Sequence, residues 1–269
     1  MTAPEPLVLA VVHLSDSFAA AWPDLAEELE IESSGKALDR SMLKLRLNEF
    51  DEHALEEALL LKEKHGGKVT VLALDAPEVD EVLFTGMAKG ADRIVKITGV
   101  GEEGVSSHEM ARIVAEVIKS MPYDLILTGV QSVEDRDGQL GPLLASALGL
   151  PHVSVVSSVE PAAGGKAVVV KQEYAGGVMA EMEMDLPALA GVQAAQQSPR
   201  YAPVSKVRQI MKTAKIEEIA SVAGSGSGSG SEILRMFKPE AAQCAEMLEG
   251  SPEEIADKLF SLFGEKGFV

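Results

Sequence analysis

Short apolar runs, too brief to be helices, alternate with helical patterns through the first two thirds of this chain, and that alternation limits the fold most. Leu7–Val12, Val69–Leu74, Arg93–Ile97 and Leu125–Thr128 lack polar alternation, as strands covered on both faces do. Between them, Asp51–Lys64 sets Leu55, Ala58, Leu59 and Lys62 at helical spacing, with Gly66-Gly67 as a stop. Pro77–Lys89 reads as a second helix with Pro77 in its first turn. Ser106–Ser120 is a third, striped by Met110, Ile113, Val114, Val117 and Ile118, and Gln139–Leu148 a fourth, closed by Gly149. Strand and helix at these lengths mean an α/β fold: a parallel sheet with crossover helices.

From Pro151 the pattern changes. Val153–Val156, Ala167–Glu173 and Val178–Met184 read as strands separated by Gly-rich turns, antiparallel additions to the sheet. This sets the domain plan: a core over 1–196, an extended docking arm over 197–222, a Gly/Ser linker over 223–231 and a terminal segment over 232–269. The linker composition is that of a flexible tether, native or engineered. Beyond it, Ser251–Phe263 is an amphipathic helix, with Ser251, Pro252 and Glu254 spaced as a capping box and Ile255, Leu259, Leu262 and Phe263 as its apolar face. A short helix behind a tether cannot bury that face alone, so it docks on the core or on a partner.

Charge excludes some functions. The chain carries 24 Lys and Arg against 42 Asp and Glu, a net −18. That disfavours nucleic acid and anionic membrane surfaces as partners and predicts partners with basic docking faces and salt-sensitive association. Aromatics are 4%, too few for a base-stacking platform. One cysteine, Cys244, makes neither an internal disulfide framework nor a zinc ribbon. No run reaches the ~20 apolar residues of a membrane span, and MTAPEP lacks the basic start of a secretory signal. The expectation is a cytoplasmic protein.

In an open parallel sheet, ligands bind beyond the carboxyl ends of the strands. After Leu125–Thr128, Gly129 lets the backbone turn away sharply. Gly138 and Gly141 bracket a helix start, and Gln139 adds a donor. Such a helix start suits phosphate. Glu134, Asp135 and Asp137 would repel a polyphosphate, so a monophosphate fits better; a solvated turn with a cap explains the same residues. An EF-hand alignment on Gly138 puts Val133 and Leu144 at ligand positions and fails. Gly99–Gly104 spells GxGxxG but holds Glu102 and Glu103 where pyrophosphate would lie, with the helix starting only at Ser106. Asn48-Glu49-Phe50-Asp51 is either a helix cap or one wall of a nucleotide pocket. The five histidines lack metal-ligand spacing, and there is no nucleophile elbow. His13 at a strand end reads as structural, and Met179, Met182 and Met184 as packing.

Four stretches carry a resemblance: Leu47–Lys64, Thr85–Arg93, Asp124–Gln131, and Ser198-Pro-Arg-Tyr201 followed by Ile210-Met-Lys212. Together they resemble the electron transfer flavoprotein beta subunits over roughly residues 7–216. The resemblance implies a Rossmann-like, adenine-nucleotide-hydrolase-like fold without hydrolase activity. It implies a heterodimer with an alpha subunit that carries FAD, a structural AMP in this chain, and electrons drawn from dehydrogenases such as acyl-CoA dehydrogenases. By position the AMP pocket takes Val11, Asn48, Glu49, Phe50, Asp51, Leu74 and Asp75. From the long loop it takes Gly129, Gln131, Ser132, Asp135, Asp137, Gly138, Gln139, Leu140 and Gly141. A docking segment for dehydrogenases falls on Gln196, Gln197, Pro199, Arg200 and Tyr201.

Three departures follow. The loop Glu134–Pro142 lacks the Thr and Asn donors of the family pattern. Its Gln139-Leu-Gly-Pro142 is similar to the Q-V-G-P of bifurcating members, which hold a second FAD in place of AMP; Asp137, where those have Thr, disfavours FAD. The Leu that enters dehydrogenases aligns with Gln196, which cannot fill an apolar pocket worth ~1.5–3 kcal/mol. The tether and terminal helix match no common member, and the helix is expected to wrap onto the alpha subunit. Two other classes compete. A universal-stress-type ATP module wants G-x2-G-x9-G-[ST], but Pro151 stands where the third Gly belongs. An ATP-splitting hydrolase or synthetase wants S-G-G-x-D-S near residue 13, which His13-Leu-Ser-Asp16 is not. No side-chain catalysis is expected of this chain.

Overall fold

The computed structural model describes residues 7–11, 14–17, 30–39, 44–99, 106–132, 137–221, 234–238 and 247–268. His13, Asp135, Cys244 and the linker over 223–231 lie outside the described residues. The chain forms two compact units, residues 1–30 with 38–233 and residues 31–37 with 234–269.

The larger unit begins with β1 (Leu7–Val11), a small antiparallel pair β2 (Leu14–Ser17) and β3 (Lys44–Leu47), and α1 (Glu49–His65). Then follow β4 (Lys68–Leu74), α2 (Val79–Lys89), β5 (Arg93–Thr98), α3 (Ser107–Ile118), β6 (Leu125–Gly129) and α4 (Leu140–Leu148). The second half adds β7 (His152–Pro161), β8 (Ala167–Tyr174), β9 (Val178–Asp185), β10 (Ala188–Val192), α5 (Val204–Thr213) and β11 (Glu217–Ala220). Nine strands form one sheet in the order β11-β5-β4-β1-β6-β10-β7-β8-β9. Every pair from β11 to β7 is parallel, and the β7-β8-β9 hairpins are antiparallel.

The period-2 side-chain alternation of the strands feeds two cores. Val69 and Val71 of β4 and Leu125 and Leu127 of β6 meet Leu55 and Leu59 of α1 and Leu83 of α2. Leu72, Val95 and Ile126 point the other way, to Ile113, Val114 and Ile118 of α3 and Leu140 and Leu144 of α4. The sheet is thus covered on both faces, which explains its continuous apolar runs.

Four expectations are corrected. α2 starts at Val79, because Glu78 takes a left-handed φ of 62° and turns the chain after Pro77. β7 is not purely an antiparallel addition: Leu189 and Ala190 pair parallel with His152 and Val153 before a bulge at Val155, φ 62°, turns the strand toward β8. The sequence pattern predicts no strand over Ala188–Val192, yet all five residues of β10 are buried near the sheet centre. Residues 197–222 are not extended throughout: 204–213 is a helix packed on α2, and 217–220 is the edge strand beside β5.

The smaller unit holds α6 (Pro252–Glu265). Ser251 Oγ accepts the Glu254 N–H at 3.3 Å and the Glu254 carboxylate accepts the Ser251 N–H at 2.8 Å, the capping box the sequence spells. No residue of α6 is buried. Among the described residues, no helix is long and apolar enough to cross a membrane.

Candidate functional site

The chain runs from β1 outward to β4 and β5, then returns to β6 on the other side of β1. The strand order thus reverses between β1 and β6, and in open α/β sheets the crevice at the carboxyl edge of such a reversal is where ligands are held. Val11 ends β1 there, paired with Leu72 and Thr128.

Gly129, the last residue of β6, anchors this crevice. Its N–H donates to Asp51 Oδ1 at 2.7 Å, and Asp51 is fully buried in the first turn of α1. A Cβ on Gly129 would stand 2.7 Å from the Asp51 nitrogen and 2.8 Å from the Phe50 carbonyl carbon. Only glycine lets the two loops touch at that distance. Asn48 completes the joint: its Nδ2 donates to Asp51 Oδ2 and to the Gln131 carbonyl, each at 2.8 Å. Asn48 stands at the N-cap position but makes no side-chain cap bond. Asn48 thus does not cap the helix with its side chain, which binds Asp51 and the 129–131 loop instead. Ser132 is buried beside them, and Glu49 is exposed.

On the far side, Gly138 takes φ +63° and Gln139 follows in right-handed helical geometry, φ −82° and ψ −23°. A left-handed residue followed by a right-handed one turns successive N–H groups to one side, a concavity that suits anions. The positive end of α4 adds to it. A Cβ on Gly138 would lie 2.5 Å from the Val130 carbonyl oxygen. Asp137 is exposed at the entrance. Leu74 and Asp75 leave β4 toward Lys96, 4.0 Å from Asp75 Oδ1. Beneath the first turn of α4, Gly141 lies against Thr128 and His152, whose Oγ1 and Nε2 would be 3.3 and 3.2 Å from an added Cβ. His152 Nε2 is 3.1 Å from Ser154 Oγ. Burial lowers the His152 pKa from 6.5.

Residues 195–200, where the resemblance puts a docking segment, are fastened to α1. Ala195 N–H donates to His53 Nδ1 at 3.1 Å, Gln196 N–H to Glu57 Oε2 at 3.1 Å, and Arg200 N–H to Glu56 Oε2 at 2.9 Å. The Arg200 guanidinium also grips Glu56 and Glu63, holding the Glu63 carboxyl below its ordinary pKa. Gln196 Nε2 donates to Glu57, so its side chain serves α1. Tyr201 beside them is 80% exposed. Sequence reasoning missed His53, Glu56, Glu57 and Thr128. Acids on a helix read as a solvated face, and only their adjacency to Leu55 and Ala58 on the inward side could have marked them.

As the sequence predicts, α3 begins after Ser106, whose Oγ accepts the Glu109 N–H at 3.3 Å; of Gly99–Gly104 only Gly99 is among the described residues. Among the described residues, no three His, Cys, Asp or Glu side chains converge as a metal site.

A sheet wound both ways from β1, with the start of α1 locked against the end of β6 at Gly129, defines a doubly wound α/β protein. Residues 36–223 match the family model described as the electron transfer flavoprotein domain. The chain is 34% identical over 250 residues to the electron transfer flavoprotein subunit beta of Methylophilus methylotrophus, covering 90% of this chain and 94% of that one. It is 34% identical over 239 residues to the same subunit of Syntrophomonas wolfei, covering 88% and 90%, and 28% identical over 251 residues to that of Bacillus subtilis, covering 91% and 95%. The chain belongs to the electron transfer flavoprotein beta subunit family.

His152 gives a pH prediction. Its folded pKa lies below its unfolded one, so as pH falls through about 6.5 the unfolded chain takes up the proton first and stability drops. The slope is bounded by about 1.4 kcal/mol per pH unit. Chemical denaturation at pH 7.5 and 5.5 tests this: the wild type loses more stability than His152→Gln, and equal losses would remove His152 from the account.

Proposed function

We propose that this chain is the beta half of a cytoplasmic heterodimer, holding one structural AMP in the β1/β6 crevice while its alpha partner carries FAD. The observation that carries the reading is the Asp51–Gly129 bond at the end of β6, with the left-handed turn at Gly138 ahead of α4. These features fit the group. At two glycines the loops pack closer than a Cβ would allow, and the turn at Gly138–Leu140 forms the positive end of α4. A monophosphate there carries less charge past Asp137 than a triphosphate would. Asn48–Asp51, Leu74 and Gln131 would line the rest of the pocket.

FAD, when bound by the pair, supplies all the electron chemistry. The side chains of this chain bind, position and cover. The exposed apolar face of α6 docks onto the alpha subunit, and the segment 196–201, set by His53, Glu56 and Glu57, meets the dehydrogenase that delivers electrons. With Gln196 tied to Glu57, that contact does not rest on an apolar plug at this position.

The test is to co-purify the chain with its alpha subunit, denature the yellow complex, and identify the released nucleotides by mass spectrometry. AMP and FAD in equal amounts are expected. Gly138→Ala, which sets a Cβ against the Val130 carbonyl at a left-handed φ, should lose most of the AMP and keep the FAD. Two FAD and no AMP would move the chain to the bifurcating class. ATP from a colourless homodimer would overturn the reading.

A further inference from the structure

Three features that the AMP site does not use converge beside the first turn of α4. The Thr128 hydroxyl is fully buried and has no hydrogen-bond partner among the described residues. Such an orphan is uncommon, because its desolvation goes uncompensated. His152 is a half-buried imidazole on the neighbouring part of the sheet. Val155, three residues on, is β-branched yet holds φ at 62°, a strain that persists only where the surroundings impose it.

Gly141 is the meeting point. The Cβ it lacks would stand 3.2 Å from His152 Nε2 and 3.3 Å from Thr128 Oγ1. Gly141 is the second residue of α4, directly after the Gly138–Leu140 turn. The ring is fixed there. Ser154 Oγ lies 3.1 Å from its Nε2, Gln172 Nε2 donates to the Ser154 carbonyl at 2.9 Å, and His152 pairs in register with Leu189.

Nothing charged stands by to satisfy a cation at this place. α4, β6 and β10 contain no titratable side chain. Asp137 ahead of α4 is exposed, as are Lys171 and Glu173 of β8. α1, across the sheet, ties Glu57 to the Val159 N–H, and Lys64 and His65 to Glu160. Burial therefore favours the neutral ring, and the positive end of α4 acts in the same sense. An anion on the Gly138–Leu140 turn reverses that second effect. It offsets the helix end and attracts a cation behind it, through an apolar interior that screens charge poorly. A ring protonated at Nε2 also has one more hydrogen to donate, and Thr128 Oγ1 is an uncommitted acceptor.

We propose that His152 is a positioning residue for the phosphate: as the anion binds, Nε2 takes a proton from solvent, and the imidazolium ties β7 to β6 through Thr128 under the first turn of α4. The inference rests on the AMP site proposed above. Linkage fixes its sign. If the anion favours the protonated ring, the protonated ring favours the anion equally, so AMP affinity rises as pH falls through about 6.5.

The test uses the full chain with its alpha subunit and FAD, freed of AMP, and takes AMP and adenosine as probes. Calorimetry in two buffers of different ionisation enthalpy counts the protons taken up per AMP bound. The second proton of AMP itself, leaving near pH ~6, is common to all variants, so the difference from wild type isolates the ring. Wild type should take up more protons than His152→Gln, and between pH 7.5 and 5.5 its affinity should gain about threefold or more over that variant. Thr128→Val, an isostere without the orphan, should be at least as stable as wild type and lose most of that gain. Adenosine, lacking the anion, should show no such difference. Equal pH profiles in wild type and His152→Gln overturn the proposal and leave the AMP site standing, as does proton uptake on adenosine equal to that on AMP. Should His152→Gln fail to fold, the His152 ring resonance of the wild type decides: it must titrate at higher pH with AMP than without it, and an unchanged titration overturns the proposal. A wild type that binds no AMP at either pH removes the site and this inference with it.

Discussion

Gly129→Ala should lower the unfolding free energy by about 3–5 kcal/mol and, on the function proposed above, release the AMP. The reasoning starts from one missing atom. An added Cβ meets the Asp51 nitrogen at 2.7 Å and the Phe50 carbonyl carbon at 2.8 Å, both backbone atoms at the start of α1. Neither can swing aside as a side chain would, so α1 and β6 must separate. Overpacking of this kind costs about 1–3 kcal/mol. The same movement stretches the buried Gly129 N–H to Asp51 bond, and bonds to charged groups are worth about 1.5–3 kcal/mol. Gly149→Ala is the comparison. Unlike Gly129, that glycine has a positive φ, 69°, and open space around it, so only the left-handed backbone is penalised, about 1–2 kcal/mol. Denaturant unfolding of both variants, with nucleotide content measured on each, separates the two terms. A Gly129→Ala protein no less stable than Gly149→Ala would refute the interlocked-loop account of the site.

The strands were readable because the sheet is buried on both faces. A run such as Val69–Leu74, apolar but for Thr70, has to be nearly wholly apolar, and no helix could use it at that length. α6 was readable to its cap because Ser251 and Glu254 act within one turn. β10 was not readable. Its Ala-Leu-Ala-Gly-Val has weak strand propensity, and its place between β6 and β7 depends on smallness: a Cβ on Gly191 would stand 3.0 Å from Ser154 Oγ. β11 was lost for a different reason, since Glu217-Glu-Ile-Ala is mostly exposed and takes its strand form from the β5 edge. In the crevice, Gly129 and Gly138 could be chosen from sequence because turn chemistry is local. The partners of Asn48 and Asp51 could not. They lie about 80 positions away, and a side chain that caps a helix has the same letters as one that ties two loops together.

The fastening of the docking segment leads to the second large effect. Glu56 is 3% exposed and carries a charge that the Arg200 N–H and guanidinium satisfy. Arg200→Ala removes the guanidinium and leaves that carboxylate buried with a single backbone donor. Breaking a buried pair from one side costs about 3–5 kcal/mol. Arg200 itself is 28% exposed, and solvent screening brings the expected loss to about 2–3 kcal/mol. Glu63→Ala should cost under about 1 kcal/mol, because that carboxylate is 58% exposed. Arg200 holds the Glu63 pKa below 4.5, so its small share is complete above that value and is lost as pH falls further. The decisive variant is Glu56→Gln/Arg200→Ala. With no orphaned charge left inside, it should be more stable than Arg200→Ala alone, a coupling of about 1–2 kcal/mol. Amide exchange should show where the loss falls: residues 195–201 lose protection in Arg200→Ala before α1 does, because His53, Glu56 and Glu57 hold that segment through its backbone. Strict additivity of the two substitutions, with 195–201 as protected as in the wild type, would mean that Arg200 merely decorates the surface and that something other than α1 sets the segment's shape.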